Sequence, residues 1–463
     1  MSEISSEIEF EDDVQSTVDT DIVAVARLAA AIADDDAASV REQIEDMHPA
    51  DAADVLEQLS TDQVRQAARL APEAFTGELL AELQWDLRED VTDLLEPSQL
   101  ADAIRDLESD DAALVLEELD DDVREQVLSE VSAEDRTMLE SHFEHEEDTA
   151  GRLMQRDFVA APDFWTVGDA IDHMRQAGED LPDIFFDVYI VDAVFHPMGA
   201  VTVSQIMRSP REKKLTDLMG DLRVRIAPDV DQEEVAYLFE KYRLFSAPVV
   251  DEDGRLTGML TIDDMVDVIQ EENKEDMLAL AGVNDAGLSD GVIDSVRSRA
   301  PWLLVNLMTA ILASGVIALF ENALATVVAL AVLMPIVASM GGNAGTQSLA
   351  VAVRAIAARD LTSANARRVI IREILTGVVN GLIFAVVMGL VALMWFQNVQ
   401  LAGVIAMAMV INLAVAGLAG IAVPLVLRKS GADPAVSSSV FVTTVTDVIG
   451  FFAFLGLAAI ILL

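Results

Sequence analysis

From Pro301 onward the chain consists mainly of five apolar stretches, each long enough to cross the hydrocarbon core of a bilayer. The stretches are Pro301–Phe320, Leu324–Ile356, Ile370–Phe396, Leu401–Leu427 and Ala435–Leu463. Apolar runs of this length predict transmembrane helices, so we expect a helical membrane domain of five spans over 301–463.

The rest of the chain is strongly acidic. Of 30 Lys and Arg and 80 Asp and Glu residues, 23 and 75 precede Pro301, which gives this part a net charge of −52. Such a surface repels nucleic acid and anionic lipid, and it suits either a salt-rich cytoplasm or the collection of divalent cations. The scarcity of lysine favours salt adaptation as the origin of most of the charge. Cysteine is absent, which excludes disulfides and thiolate metal sites.

The first third of the chain predicts an all-helical domain behind a short tail. Met1–Thr20 is acidic and polar without the apolar core of a signal peptide, and we expect a disordered tail there. Residues 21–147 carry apolar side chains at helical spacing. The stretch Asp51–Leu59 returns in similar form at Asp111–Leu119, which predicts stacked helical hairpins in a small superhelix. We expect this domain to be a scaffold or a regulatory surface.

Two copies of a mixed α/β unit follow, at 148–219 and 220–262. The second copy predicts a helix, a strand, a turn, a strand and a closing helix, at Asp231–Tyr242, Ser246–Val250, Asp251–Gly254, Leu256–Thr261 and from Ile262. The first copy is degenerate, and its predicted elements are Thr166–Ala177, Phe186–Asp192, Gly199–Val203 and a helix from about Ser204.

The sequence Ala-Pro-Val-Val-Asp-Glu-Asp-Gly-Arg-Leu-Thr-Gly-Met-Leu-Thr-Ile-Asp-Asp resembles paired CBS domains. In nucleotide-binding CBS domains the positions that match Thr261 and Asp264 hold a ribose. The resemblance therefore implies a place for ATP or another adenine nucleotide, although many CBS domains with this spacing bind none.

A connecting helix and linker, 263–300, leads to the membrane domain. Carboxylates at Asp264, Asp267, Glu271 and Glu275 follow helical spacing and share one face. Like charges at this spacing repel, and a divalent cation that bridges this face to another acidic surface would relieve the repulsion. The alternative is a solvated helix face in an acidic protein.

The last apolar stretch contains one charged residue, Asp447, with Thr443, Thr444 and Thr446 close by. A carboxylate at membrane depth costs several kcal/mol unless water, a cation or a polar partner meets it, and it therefore usually marks a pathway. We expect Asp447 to face an aqueous cavity that admits cations. The alternative is a hydrogen bond to Asn or Arg on another helix.

The second apolar stretch carries Pro335 and then Gly-Gly-Asn-Ala-Gly-Thr-Gln at Gly341–Gln347. Proline and glycine weaken a helix, and the sequence predicts a break here that brings carbonyls and the amides of Asn343 and Gln347 near an aqueous path. The alternative is close helix packing through small residues. Gly377 and Gly381 in the third stretch predict packing only.

Basic residues lie before the first span, between the second and third, and between the fourth and fifth. They are Arg297, Arg299, Arg359, Arg367, Arg368, Arg428 and Lys429. The positive-inside rule then places the acidic domains in the cytoplasm and the C-terminus outside a cytoplasmic membrane.

Taken together, these segments resemble an MgtE-type magnesium channel over nearly the whole chain. The matching motifs are Thr149–Met154, Pro335–Gln347, Ala358–Leu361, Asp433–Ala435 and Thr446–Gly450. The resemblance implies a homodimer whose pore is lined by the second and fifth spans and whose two Asp447 side chains bind hydrated Mg²⁺.

The resemblance also implies particular site residues. The implied pore-lining residues are Gly341, Gly342, Asn343, Thr346, Gln347, Ala350, Thr443 and Asp447. The implied sensors of cytosolic Mg²⁺ are Asp264, Asp267, Glu275, Asp276 and Asp433. Thr346, Ser439 and Arg243 depart from residues common in the family.

The sequence thus predicts a multidomain membrane protein that contacts lipid and conducts Mg²⁺, closed by cytosolic Mg²⁺. Mg²⁺ keeps its water and needs few carboxylates, in keeping with a sparse site at Asp447. No enzyme chemistry is expected. The alternatives are a carrier of another divalent cation coupled to an ion gradient, and a CBS-based membrane sensor that conducts nothing.

Overall fold

A computed structural model describes residues 22–463 except 106, 118, 179–180, 183, 284–291, 363, 432 and 435–437. The chain divides into two compact units, of which the first ends at Ile269 and the second begins at Gln270. The predicted tail, Met1–Thr20, lies outside the described residues, as do part of the predicted linker and Ala435, the predicted start of the fifth span.

From residue 22 on, where the described part of the chain begins, the first unit opens with ten α-helices, which confirms the predicted all-helical domain. They are α1 (Ile22–Ala33), α2 (Ala37–Glu45), α3 (Pro49–Glu57), α4 (Thr61–Leu70), α5 (Gly77–Glu82), α6 (Trp85–Thr92), α7 (Pro97–Arg105), α8 (Ser109–Glu117), α9 (Asp121–Glu130) and α10 (Ala133–His142). The helices are short and bury a single apolar core, so tertiary packing supplies most of their stability.

The internal repeat occupies equivalent positions in this core. Helix α3 buries Ala52, Ala53, Val55 and Leu56, and α8 buries Ala112, Ala113, Val115 and Leu116. The two copies therefore bury the same four positions of the repeated sequence. The repeat reflects a repeated packing surface.

Two α/β subdomains complete the first unit. Their elements are α11 (Ala150–Leu153), β1 (Ala160–Pro162), α12 (Val167–Ala177), β2 (Asp187–Val191), β3 (Pro197–Thr202), α13 (Val203–Arg208), α14 (Gln232–Tyr242), β4 (Ser246–Val250), β5 (Leu256–Thr261) and α15 (Ile262–Ala281). Strand β2 pairs parallel to β1 and antiparallel to β3, and β4 pairs antiparallel to β5. Both predicted strands of the second copy have the predicted ends.

The segment before β1 contributes to the second copy. Ala150 and Met154 lie in the apolar core that also contains Phe239 and Leu260. The Ala150 amide donates to the carbonyl oxygen of Val230 over 2.7 Å. The predicted first copy, 148–219, therefore begins with residues that pack in the second.

In the described part of the second unit, five helices are long and apolar enough to cross a membrane, as predicted. They are α16 (Val292–Ala318), α18 (Ala329–Ala357), α19 (Ala366–Phe396), α20 (Val399–Lys429) and α21 (Ser438–Ile461), and we call them the first to fifth spans. A separate short helix, α17 (Glu321–Thr326), precedes the second span. The predicted start of that span at Leu324 is therefore wrong, because Leu324 belongs to α17.

Glycines let the third and fourth spans approach closely, as predicted for Gly377 and Gly381. A Cβ atom on Gly377 would lie 2.3 Å from the carbonyl oxygen of Leu413, and one on Gly381 would lie 2.8 Å from Cα of Val410. Neither position has room for a larger residue without a shift of backbone.

The predicted break in the second span is absent. Helix α18 is continuous from Ala329 to Ala357 and contains both Pro335 and the glycine-rich stretch. Gly341 and Gly345 are buried against neighbouring spans. The alternative reading of these two glycines, close packing through small residues, describes this part of the helix better, because tertiary contacts outweigh the low helix propensity of glycine.

Candidate functional site in the membrane unit

The second and fifth spans pack against each other through the glycine-rich stretch. A Cβ atom on Gly345 would lie 2.6 Å from Cγ1 of Val442 and 3.6 Å from Cγ2 of Thr446. A Cβ atom on Gly342 would lie 3.8 Å from Cγ2 of Thr443, which is an ordinary contact. The two spans that carry the predicted pore residues are therefore neighbours.

Three predicted pore residues form an exposed stripe on the second span. Asn343, Gln347 and Ala350 are exposed, and their spacing places them on one face of the helix. Thr346 is half-buried, and its hydroxyl donates to the carbonyl oxygen of Asn343 over 3.0 Å. Two side-chain amides thus lie on the outer surface of a single chain within a membrane span.

Gly341 lies on the opposite side of the second span. A Cβ atom here would lie 2.2 Å from Nδ2 of Asn412 on the fourth span. Gly341 therefore belongs to a packed contact between helices and not to the exposed stripe, which corrects its predicted position along the pore.

Asp447 is half-buried on the fifth span, one turn beyond Thr443 on the same face. Among the residues that the structure describes, none forms a hydrogen bond or ion pair with its carboxylate. The neighbouring hydroxyls of Thr443, Thr444 and Thr446 donate to backbone carbonyls of their own helix. The carboxylate is thus left to solvent, to a cation or to a second chain.

Asn412 is a polar residue of this unit that the sequence analysis missed. Its side chain is 1% exposed, and Nδ2 donates to the backbone carbonyl oxygen of Val337 over 2.8 Å. Within the described residues, Oδ1 has no hydrogen-bond partner. The sequence does contain a signal for this residue, because Asn412 is the only polar residue between Leu401 and Leu427 in the predicted fourth span.

Candidate functional site in the first unit

The sequence analysis predicted that the carboxylates of α15 meet another acidic surface but did not identify it. In the structure this surface lies on α8 and on Glu108, the residue before it. Asp264 at the start of α15 is close enough to Asp110 and Asp111 for their charges to interact, and Asp111 also interacts with Asp267. Asp110 and Asp111 thus lie near the predicted sensor residues Asp264 and Asp267, and Glu108 interacts with Asp111 and with Asp263 of α15. We use the name acidic interface for Glu108, Asp110, Asp111, Asp264 and Asp267.

The pKa values of the acidic interface are raised. Burial and repulsion from Asp111 and Asp263 raise the pKa of Glu108 to about 7. Burial and neighbouring carboxylates also raise the pKa of Asp264 to about 7, although hydrogen bonds from Thr261 oppose the shift. Burial and the charge of Asp264 raise the pKa of Asp110 well above its ordinary value. A proton or a cation would therefore stabilise this interface.

The acidic interface is not a preformed coordination sphere. Across the part of the chain that the structure describes, no three Asp, Glu or His side chains converge on a point where they could hold a metal ion directly. Carboxylates repel one another because all carry negative charge, so they remain apart when no cation lies between them. Any cation bound here would keep part of its hydration shell or draw the carboxylates together.

The other predicted sensors belong to the second unit. Glu275 and Asp433 are exposed, and Asp276 is half-buried. Further along α15, Ala279 packs in an apolar cluster with Leu349 and Val353 of the second span and Val442 of the fifth. The end of the connecting helix therefore shares an apolar cluster with both predicted pore spans.

Thr261 and Asp264, the predicted ribose contacts, are hydrogen-bonded to each other. The amide and hydroxyl of Thr261 both donate to the Asp264 carboxylate. This arrangement is how a residue before a helix caps its first turn. Both hydrogen bonds go to one oxygen, Oδ2, of the Asp264 carboxylate.

Three family sequence models match the chain. They describe a divalent cation transporter at residues 334–457, an MgtE intracellular N domain at 47–148 and a CBS domain at 216–271. The magnesium transporter MgtE of Enterococcus faecalis is 33% identical over 315 residues, covering 68% of this chain and 69% of its own length. The magnesium transporter MgtE of Thermus thermophilus is 31% identical over 450 residues, covering 94% and 98%.

A solved structure also resembles part of the chain. It is the cytosolic domain of the Mg²⁺ channel MgtE in complex with ATP, with a TM-score of 0.49 and 28% identity, and the alignment covers 53% of this chain and 99% of that one.

Proposed function

Because the chain belongs to the MgtE family of divalent cation transporters, we propose that it is a homodimeric channel that conducts Mg²⁺ across the cytoplasmic membrane. The observation that carries this proposal is the exposed stripe of the second span. In a single chain, Asn343 and Gln347 would face hydrocarbon, where polar amides are costly, and Asn343 has one long hydrogen bond there, from Nδ2 to Oγ of Ser339 over 3.5 Å. A second copy that meets this face would enclose them in an aqueous path.

Two Asp447 carboxylates would then face this path, one from each chain. Mg²⁺ dehydrates reluctantly and is commonly held by one or two carboxylates through its water, whereas Ca²⁺ takes six to eight oxygen ligands. The lack of a hydrogen-bonded partner for Asp447 among the described residues favours this role over a structural one. The relatives of the chain are named as magnesium transporters, which supports the same ion.

Basic residues support the orientation predicted from the sequence. Arg297 and Arg299 lie near the start of the first span, and Arg428 and Lys429 end the fourth. With the arginines between the second and third spans, they favour cytoplasmic acidic domains and an external C-terminus.

We further propose that cytosolic Mg²⁺ closes the channel. The acidic interface concentrates negative charge whose repulsion a divalent cation would relieve, and Glu275, Asp276 and Asp433 are proposed as further Mg²⁺ contacts. The apolar cluster that contains Ala279, Leu349 and Val442 provides a path by which α15 could act on the pore spans. Mg²⁺ shifts the equilibrium from the open to the closed state only if the closed state binds Mg²⁺ more tightly than the open state does.

Adenine nucleotide is a second proposed ligand of the CBS pair. The spacing of Thr261 and Asp264 supports it, but their mutual hydrogen bonds also serve as a helix cap. Asp264 is moreover shared with the proposed Mg²⁺ sensor, so nucleotide and Mg²⁺ would affect each other's binding.

The proposal is tested by Mg²⁺ flux into liposomes that contain the purified protein. Asp447→Ala should abolish the flux while the dimer stays intact, and Asp447→Asn should retain hydrogen bonding but lose most conduction. Asp360→Asn, which neutralises an exposed carboxylate outside the spans, is the matched control and should conduct normally. Undiminished flux in Asp447→Ala would contradict the proposed pore.

The same assay separates the alternatives. Flux that saturates and collapses when a proton or sodium gradient is removed would indicate a coupled carrier. A wild-type protein that binds Mg²⁺ but produces no flux would indicate a membrane sensor.

A further inference from the structure

Asn412 connects the two spans that carry the proposed pore residues. Its carboxamide lies between Gly341 of the second span and Gly450 of the fifth, and a Cβ atom on either glycine would lie within 3.0 Å of it. Both glycines are therefore required if the carboxamide is to occupy this place. The fourth span thus reaches both pore spans through one side chain.

The hydrogen bond to Val337 is made at the same contact. The carbonyl oxygen of Val337 lies one turn before Gly341, and the absence of a side chain there lets Nδ2 of Asn412 approach it to 2.8 Å. A carbonyl oxygen has two lone pairs and can accept this hydrogen bond beside the one within its helix. Asn412 therefore sets the position of the second span along the fourth.

Stability alone does not explain an asparagine here. Among the described residues Oδ1 has no partner, and a buried acceptor without a partner costs more free energy than one neutral hydrogen bond returns. Leucine has a similar shape, and hydrogen bonds between membrane helices contribute little on average. A buried polar group that does not increase stability can instead determine a unique arrangement of its neighbours.

The arrangement concerned is that of the proposed pore. Gly450 lies three residues after Asp447 and Gly341 lies two before Asn343, so both contacts are within one helical turn of a proposed pore residue. On the basis of the proposed function, we propose that Asn412 is a positioning residue for ion selectivity. It holds the second and fifth spans at the separation that places the exposed stripe opposite Asp447 around a hydrated ion.

The test measures the Mg²⁺ to Ca²⁺ permeability ratio of the full chain in planar bilayers, together with its thermal stability. Asn412→Leu should leave the stability unchanged or higher and lower the ratio about fivefold, which corresponds to about 1 kcal/mol at 1.4 kcal/mol per tenfold. Asn380→Leu makes the same substitution at an exposed position in the third span and should change neither. A merely structural role would alter the amount or stability of the protein but not the ratio.

A second pair of variants keeps the test decisive if Asn412→Leu does not fold. Gly450→Ala should disturb packing, because its methyl group meets the carboxamide, and Asn412→Ala with Gly450→Ala should relieve the clash without restoring the hydrogen bond. The double variant should fold and retain a low ratio. A wild-type ratio in either folded Asn412 variant would overturn the inference, and no Mg²⁺ current from the wild type would overturn the proposed function as well.

Discussion

Arg152 donates a hydrogen bond from Nη1 to the backbone carbonyl oxygen of His142 over 3.1 Å. Arg152 lies in α11, and His142 ends α10, so the bond joins the helical domain to the α/β subdomains within the first unit. The guanidinium also forms a 2.6 Å ion pair with Glu117 and lies 4.8 Å from the centre of the Phe143 ring. This contact involves no residue of the acidic interface.

The buried His142 ring should make the first unit sensitive to acid. Burial and the charge of Arg156 lower its pKa from 6.5 to about 4. The unfolded chain therefore binds a proton between pH 6.5 and 4 that the folded chain excludes, and stability is lost as pH falls through this window, by about 3 kcal/mol at most.

His142→Leu should remove this component, so that the calorimetric unfolding temperature at pH 5, taken relative to that at pH 7, is higher in the variant than in the wild type. The comparison with the wild type is essential, because the raised pKa values of Glu108 and Asp264 act in the opposite direction. His48→Asn is the control, because it removes an exposed imidazole and keeps a side-chain acceptor for the N-cap of α3. It should show the same pH shift as the wild type. Equal pH shifts in wild type and His142→Leu would assign the acid sensitivity to other groups.

Gating by Mg²⁺ should depend on carboxylates of α15. Replacing Asp264, Asp267, Glu275 and Asp276 by their amides removes the differential Mg²⁺ affinity of the closed state. The channel should then stay open at internal Mg²⁺ concentrations that close the wild type, and the first unit should lose Mg²⁺-dependent protection from protease.

Patch recording and protease mapping over a Mg²⁺ series, at fixed high KCl, measure both effects, because monovalent salt screens the general acidity. The control removes four exposed charges elsewhere, with amides at Glu42, Asp46, Asp51 and Asp54. If the α15 variant closes at the same Mg²⁺ concentration as the wild type, the carboxylates form a solvated face and the sensor lies elsewhere.

The two adjacent glycines of the second span should respond differently to substitution. Gly342→Leu should block Mg²⁺ flux in liposomes, because a large side chain beside Thr443 narrows the path of a hydrated ion. Gly342→Ala should conduct, since its Cβ atom would make an ordinary 3.8 Å contact. Gly341→Ala should instead reduce folded protein, because its methyl group meets the Asn412 carboxamide. Normal conduction by Gly342→Leu would place this position away from the ion path.

The amino-acid sequence by itself determined the local structure and the order of the domains. Apolar runs of membrane-spanning length predicted five spans. Two short runs on either side of the turn at Asp251–Gly254 predicted β4 and β5 with their observed ends. Such signals depend only on residues close together along the chain, so they can be recognised in the sequence itself.

Only the tertiary structure decided which distant residues meet. Nothing distinguished Asp110 from the other acidic residues until α8 was packed near Asp264, because charge proximity depends on folding and not on composition. Likewise, Pro335 and the glycines predicted a break, yet contacts of Gly341 with Asn412 and of Gly345 with Val442 accompany a continuous helix. Burial against neighbouring spans outweighs a local propensity of about 1 kcal/mol for each glycine.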